Sequence, residues 1–565
     1  MKSEGKQKIR ELLRFIYPES YRPGDEESLF RIIDSFPALP PKEGLSEKDN
    51  VLIIYPDAIK KEGEPAIRTL CRFLHTYGEA VTNVHLLPFY PYSSDDGYAV
   101  TDYENVREDL GSWQDLEDLA GRRHLIFDFV VNHVSAKSQW FLRYLKGDPE
   151  FEDFFIEYRE DFDVSKVVRP RTAPLFHEYP AAGGVKKLWT TFGEDQIDLN
   201  YGNFRVLIRM CGILAEYLRH GARCIRLDAV CYLWKESGKS CCNLPRTHAV
   251  IRLFRLLMDE IAPGAVLLTQ TNVKHDENLS YFGDGSCEAG LVYQFALPPL
   301  VLNAVCSRRA DKLTQWAKGI NRISEKATFL NFLGGHDGIG LRPVADLLTG
   351  PERDRMIENT LAGGGRVSYS AGPDGKQEAY ELNTNYLSAL TSFGDSQEIQ
   401  LKKTLAAHSV LFSVIGVPAV YYHGLLGSEN DCRGMEESGI IRRINRQKFD
   451  EKELDDLMTG QPRRMIWNQL GEMLKIRGRN PAFSPYNPQT VMELDFRVFA
   501  VERYEYGKPG QRIISATNLS PEEVEISLPG RRDGKVLYNS FGEQKCREGK
   551  VLLAPYGFLW MEMGS

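Results

Sequence analysis

Two residues of the segment 221–230, GARCIRLDAV, could do covalent chemistry. An apolar, β-branched run carries Arg226 and Asp228 to the end of a predicted buried strand. Residues two apart on a strand point to the same face, so the guanidinium and the carboxylate lie side by side. The cation then favours the ionised acid. An ionised, oriented carboxylate is what a covalent nucleophile requires. The same pair would serve equally well as a structural ion pair beside a core strand, and this segment alone leaves both readings open.

Further reactive residue types recur at the ends of other predicted strands. His85 precedes LLPFYP, and the chain then reaches SSDDG (93–97) with Asp95 and Asp96. DFVVNH (128–133) ends on His133, LLTQTN (267–272) carries Gln270, and GGHDG (334–338) carries His336 and Asp337. Singly each is weak, because a lone histidine is usually a hydrogen-bonded structural residue and an Asp-Gly pair usually marks a turn. Together, in order and at strand ends, they point to one site.

Holding such a set together requires a scaffold with many strand ends on one face. Eight segments read as strands: 51–56, 81–88, 125–131, 224–230, 266–271, 291–296, 329–333 and 418–422. Helical segments lie between most of them. The clearest covers 204–218, with Phe204, Leu207, Ile208, Cys211, Leu214, Ala215 and Leu218 on one face at helical spacing. Eight such units predict an α/β fold, a closed (β/α)8 TIM barrel, with its functional groups at the C-terminal ends of the strands. The stretch 135–201 is too long for a simple connection and is read as a small domain inserted after the third strand. Beyond residue 485 the pattern changes to short alternating strands at 496–504, 512–517, 523–528, 551–553 and 558–562, an antiparallel β domain. The expected division is therefore a barrel from 1–134 and 202–485, an inserted domain from 135–201 and a C-terminal domain from 486–565. The glycine-rich stretch 363–378 does not follow a strand, so it reads as a loop rather than a phosphate cradle.

Composition narrows the partners. The 565 residues are 42% hydrophobic and 26% charged, as expected for a globular protein with a large core. A net charge of -8 argues against nucleic acid or an anionic membrane as the main partner. No apolar run is long enough to span a bilayer, and the N-terminus lacks the apolar core of a signal peptide, so a cytoplasmic location is expected. The ten cysteines show no zinc spacing, so no metal is expected, and no motif implies an organic cofactor.

DFVVNH, GARCIRLDA, LLTQTN and GGHDG resemble the four signature regions of the α-amylase superfamily, glycoside hydrolase family 13. The inserted domain and the C-terminal β domain resemble its architecture. Within it, LPFYPYSSDDGYAVTDY, REDLGSW, VRPRTAPLF, WTTFGEDQIDLN, YLWKESGKSC, GVPAVYYHGLLGSEND and RRINR are similar to the sucrose-phosphorylase branch. YLWKE and the segment LPRTHAVIRLFR are closer to the glucosylglycerate phosphorylases of that branch. The resemblance covers nearly the whole chain.

It implies a retaining glycoside phosphorylase that moves an α-glucosyl unit between a small glucoside and inorganic phosphate, giving α-glucose 1-phosphate. A hydrolase or transglucosidase of the same fold is the alternative. Asp228 is implied as nucleophile, Arg226 as its orienting partner, and Asp337 and His336 as groups that grip sugar hydroxyls and stabilise the distorted ring. Asp95 and His133 are implied at the outer hydroxyls, Arg446 at the closure of the glucosyl subsite, and Phe192 and Tyr232 as aromatic faces. Arg169 and Arg171 would meet phosphate or an anionic acceptor. A monomer or a homodimer is compatible with the resemblance.

One position departs from the family. The signature carries a glutamate, the general acid/base, where this chain has Gln270. Retention requires two carboxylates about 5–5.5 Å apart, and an amide has no proton to give. Three readings follow. Gln270 is a Glu→Gln substitution that disarms an otherwise intact enzyme, which is the reading favoured by the intact remainder of the signature. Alternatively the protein binds sugar without converting it, or Lys274, His275, Asp276 or Glu277 supplies the acid.

Overall fold

The computed structural model describes residues 3–36, 39–171, 173–371, 377–392, 394–460, 462–507, 510–528, 534–540, 544–547 and 549–563. Eight parallel strands close on themselves: β1 (Val51–Ile54), β2 (Asn83–Leu86), β3 (His124–Val130), β4 (Ala222–Asp228), β5 (Val266–Thr269), β6 (Leu291–Tyr293), β7 (Thr328–Asn331) and β8 (Val417–Tyr421). Each strand pairs with its neighbours in sequence, and β8 returns to pair with β1. The fold is a (β/α)8 barrel, and all eight strands expected from the sequence are in it.

The strands are buried along almost their whole length, as Val-, Ile- and Leu-rich parallel strands covered by helices must be. Helix Phe204–Arg219 shows how local sequence sets an element. Asn203 caps it by accepting from the Arg205 N–H, a contact worth about 1 kcal/mol, and on its apolar face Leu207, Cys211, Leu214 and Leu218 are fully buried while Phe204 and Ile208 are half-buried. The helix ends at His220, and Gly221, at φ +98°, turns the chain into β4.

Between β3 and β4 the chain forms a hairpin of Phe176–Ala181 with Gly184–Trp189, and a short pairing of His133–Ser135 with Gln196–Asp198. The second pairing returns the inserted segment to the barrel rim beside His133. After the barrel, five strands form an antiparallel sheet: β9 (Gln489–Asp495), β10 (Val498–Tyr504), β11 (Arg512–Asn518), β12 (Gly534–Asn539) and β13 (Phe558–Met563). A three-stranded sheet packs with it around Val498, Ala516, Val524, Ile526, Val551 and Met561. Strands β9 and β12 were not expected from the sequence; their residues are mostly half-buried, so apolar alternation is weak there.

The stretch 363–378 departs from its expected loop. Residues Arg366–Ala371 pair antiparallel with Gln377–Asn383, and a further short strand, Ile339–Gly340, joins them just after Asp337. Residues 372–376 of that stretch lie outside the described residues. Alternating Tyr380 and Leu382 against Glu381 and Asn383 give the period of a strand, which the glycines upstream conceal. Among the described residues, no helix is long and apolar enough to cross a membrane.

Candidate active site

Asp228 is the last residue of β4, and it opens into a pocket at the C-terminal mouth of the barrel. The chain must turn sharply here, and Ala229 adopts a left-handed conformation at φ +51°, which is uncommon for a residue with a Cβ. That turn presents the Ala229 N–H to Gln270, whose Oε1 accepts it at 3.3 Å. The Gln270 N–H in turn bonds to Leu227 O at 3.2 Å, so the two strand ends are tied together.

Arg226 is placed by register. It stands opposite Asp128 across the β3–β4 pairing, and inward-facing partners of parallel strands are in contact. Its Nη1 binds the Asp128 carboxylate and lies 3.0 Å from Asp228 Oδ1. Asp128 also accepts from His85 (3.1 Å) and from the Tyr98 hydroxyl (3.3 Å). One guanidinium therefore serves two buried carboxylates. This corrects the expectation that Arg226 holds Asp228 ionised. Burial pushes the Asp228 carboxyl up to about 7, Asp128, Asp337 and Asp95 add to it, and Arg226 only partly opposes them.

The opposite charge balance holds at Asp337. Burial works against ionisation there, but the fixed charges of Arg442, Arg446 and Arg226 outweigh it and keep the carboxyl well below the usual range. Burial lowers His336 to about 3, which leaves a neutral imidazole stacked on Tyr98 at 4.9 Å between ring centroids. His133 is likewise lowered by burial, and its Nε2 faces Tyr98 O at 2.9 Å.

Of the residues singled out in the sequence, Asp95, His133, Arg171, Phe192, Asp228, Tyr232, Gln270, His336 and Asp337 share this pocket wall. Phe192 and Tyr232 meet edge to face at 5.6 Å, and Arg171 lies over Phe192. Arg226 and Arg446 stand behind the wall. Arg446 is fully buried, bonds to Asp96 Oδ2 at 2.9 Å and reaches Asp95 Oδ1 at 3.5 Å, so it braces the tight turn at 95–97. Arg169 is exposed and lies outside the wall, whereas Pro170 and Arg171 line it. None of Lys274, His275, Asp276 and Glu277 lines the pocket. The chain after β5 turns into a short helix, Glu277 caps Lys274, and Lys274 pairs with Asp346 at 2.8 Å.

Sequence reasoning missed Tyr98, Asn272, Tyr380, Glu381 and Arg442, all of which line the pocket. Arg442 had a signal. It opens the string RRINR, which the resemblance already singled out and which ends on Arg446. Tyr380 and Glu381 had none, since they reach the pocket only through the hairpin at 366–383. Among the described residues, no cluster of three or more His, Cys, Asp or Glu side chains is arranged to hold a metal ion.

A (β/α)8 barrel whose mouth gathers buried carboxylates, a neutral imidazole and arginines defines a glycoside-processing class of protein. Comparison with known proteins narrows this. Residues 15–341 match the alpha amylase catalytic domain. The glucosylglycerate phosphorylase of Spirochaeta thermophila is 43% identical over 535 residues, which is 92% of this chain and 90% of that protein. That of Escherichia coli is 41% identical over 564 residues, covering 99% and 100%. The crystal structure of the sucrose 6F-phosphate phosphorylase from Thermoanaerobacter thermosaccharolyticum superposes with a TM-score of 0.73 at 24% identity, over 85% of this chain and 96% of that one. The chain belongs to the alpha-amylase family, glycoside hydrolase family 13, in its sucrose-phosphorylase branch.

Proposed function

We propose that this chain is a retaining glucoside phosphorylase whose glucosyl acceptor and donor sites meet at Asp228, with the acid/base position disarmed as Gln270. The observation that carries this is the single pocket in which Asp228, Gln270, His336 and Asp337 face cations from two sides. The high identity to glucosylglycerate phosphorylases supports a small, anionic glucoside such as glucosylglycerate as the substrate class. The division into a barrel (1–134 and 202–485), an inserted domain (135–201) and a β domain (486–565) belongs to the same proposal.

In the first half-reaction, the Asp228 carboxylate attacks the anomeric carbon and the glycosidic C–O bond breaks, leaving a β-glucosyl ester. The departing alkoxide needs a proton, which an acid at position 270 would give. In the second, hydrogen phosphate attacks the anomeric carbon, the ester bond to Asp228 breaks, and the carboxylate is regenerated. Phosphate arrives as an anion, so this step needs little help from a base. Asp337 accepts from ring hydroxyls as a carboxylate, and neutral His336 can both donate and accept. Asp95 and His133 hold the outer hydroxyls, Arg446 braces that end, and Phe192 and Tyr232 cover the sugar faces.

The Gln270→Glu variant, supplied with an α-glucoside and phosphate, is expected to release glucose 1-phosphate in the α configuration. Product analysis by NMR checks this. Release of free glucose with no dependence on phosphate would assign the chain to a hydrolase instead.

The position of Asp228 near neutrality gives a pH signature. The nucleophile must be ionised, so glucosylation weakens as pH falls through about 7. For α-glucosyl fluoride, whose leaving group needs no proton, kcat/KM is expected to drop about tenfold per pH unit below that point and to level off above it. A flat profile from pH 5 to 8 would place the Asp228 carboxyl back in the ordinary carboxylate range.

A further inference from the structure

Two arginines, Arg171 and Arg442, stand in the pocket wall among four carboxylates, Asp95, Asp228, Asp337 and Glu381. Arg442, in the 3-10 turn Ile441–Asn445 that follows two short helices after β8, has a side chain that is 19% exposed and is gripped from behind by Glu381. Nε and Nη2 of Arg442 both donate to Glu381 Oε1, at 3.2 and 3.1 Å, and Nη2 donates to Oε2 at 2.9 Å. Glu381 is 3% exposed and Arg442 is its ion-pair partner, so its charge is spent on fixing one guanidinium plane. That fork geometry is the arrangement in which an arginine loses least freedom when it takes a further ligand.

The other edge of the guanidinium faces the cavity. Nη1 of Arg442 meets Asp337 Oδ1 at 2.7 Å, and the Asp337 side chain is 29% exposed. Arg171 approaches the same space from over the Phe192 ring, 3.7 Å from Asp95 Oδ2. The Tyr380 hydroxyl and the Asn272 amide, 3.1 Å apart, complete a polar rim beside Gln270.

We propose that Arg442, positioned by Glu381, is an oxyanion-binding residue of the acceptor half of the pocket, and that glucosyl binding at Asp337 frees its Nη1 for that anion. The inference rests on the phosphorylase reading and deepens it. In the empty pocket Asp337 and Arg442 neutralise each other. Sugar hydroxyls that donate to Asp337 compete for its Oδ1, and the released N–H groups then meet phosphate or the carboxylate of an acceptor. Sugar and anion are thereby coupled, and the coupling is reciprocal. An anion is held weakly by the free protein and more tightly once the glucosyl unit is in place.

The test uses α-glucosyl fluoride as donor, so the chain can be assayed as it stands, with fluoride release followed against inorganic phosphate. Arg442→Gln is expected to raise the phosphate KM roughly 10- to 100-fold relative to the fluoride KM, the loss of one charge-assisted contact. Arg442→Lys, which keeps the charge without the fork, should fall between, and Glu381→Gln should shift the phosphate KM in the same direction. A second arm distinguishes the two anions. In the Gln270→Glu background, with glucose 1-phosphate as donor, the preference for glycerate over glycerol as acceptor should fall in Arg442→Gln if the carboxylate uses this contact, and hold if phosphate alone does. Phosphate acceleration in the parent with unchanged phosphate KM and acceptor preference in both Arg442 variants overturns this assignment alone. Fluoride release that ignores phosphate in the parent overturns the phosphorylase reading as well.

Discussion

Asp228→Asn is expected to lower fluoride release from α-glucosyl fluoride by a factor on the order of 10⁴ or more, the effect of removing a covalent nucleophile. The substitution is nearly isosteric, and Asp128, itself bonded to His85, still holds Arg226, so the barrel core is left intact. It also removes a carboxyl that burial drives up to about 7, so no stabilising charge is lost with it. The direct readout is the ester itself. With α-glucosyl fluoride and no phosphate, the parent chain should gain the mass of one glucosyl unit, and the asparagine variant should not. Fluoride turnover that survives in the variant removes Asp228 as the nucleophile, whatever the mass spectrum of the parent.

The sharing of Arg226 explains why this acid sits near neutrality in the empty pocket. A guanidinium beside one carboxylate would hold it ionised, and that was the expectation from GARCIRLDAV. The barrel places Asp128 opposite Arg226 in register, and the closer ion pair forms there. Asp228 is left with the second share of one positive charge, and with Asp337 and Asp95 as further negative neighbours. A sugar that donates hydroxyls to Asp337 and Asp95 would screen both. Substrate binding itself would then bring the nucleophile into its ionised form.

Most strands were legible as buried runs rich in β-branched and aliphatic residues, and those at Val51–Ile54, Ala222–Asp228 and Val266–Thr269 differ from the readings by a few residues at their ends. The residues at their C-terminal ends were legible for the same reason: a strand end fixes where Asp228 and Gln270 lie, and the closed barrel brings them together. The rest of the pocket comes from loops and from a hairpin. Tyr380 and Glu381 are in place because Arg366–Ala371 pairs with Gln377–Asn383 and Ile339–Gly340 joins it, contacts that no local period encodes. Arg169 and Arg171 looked equivalent in sequence, yet Arg169 is exposed and Arg171 lines the pocket. Local pattern reported which residues end a strand. It could not report which of two neighbouring cations a loop turns inward.

Gln270→Glu is expected to raise turnover of a glucosyl alcohol by roughly 10²–10⁴-fold, the usual worth of a positioned general acid. The amide stands where the acid would, lining the pocket with Asp228 and tied to the Ala229 N–H through Oε1. A glutamate there would keep that backbone contact on one oxygen and carry its proton on the other. The gain should depend on the leaving group. An alkoxide gains the full factor, whereas fluoride leaves unaided and should gain little, so the ratio of the two improvements isolates proton transfer from any change in binding. Each competing account of Gln270 gives a different result. If the protein only binds sugar, the variant binds the glucoside and still fails to convert it. If another residue supplies the acid, the parent chain already cleaves the glucosyl alcohol well and the variant adds nothing. The geometry argues against that last case, since Lys274 and Glu277 are engaged with Asp346 and with the helix start, away from the pocket wall. The glutamate of the pocket wall, Glu381, is engaged by Arg442. An equal gain on the alcohol and on the fluoride would remove position 270 from the acid role.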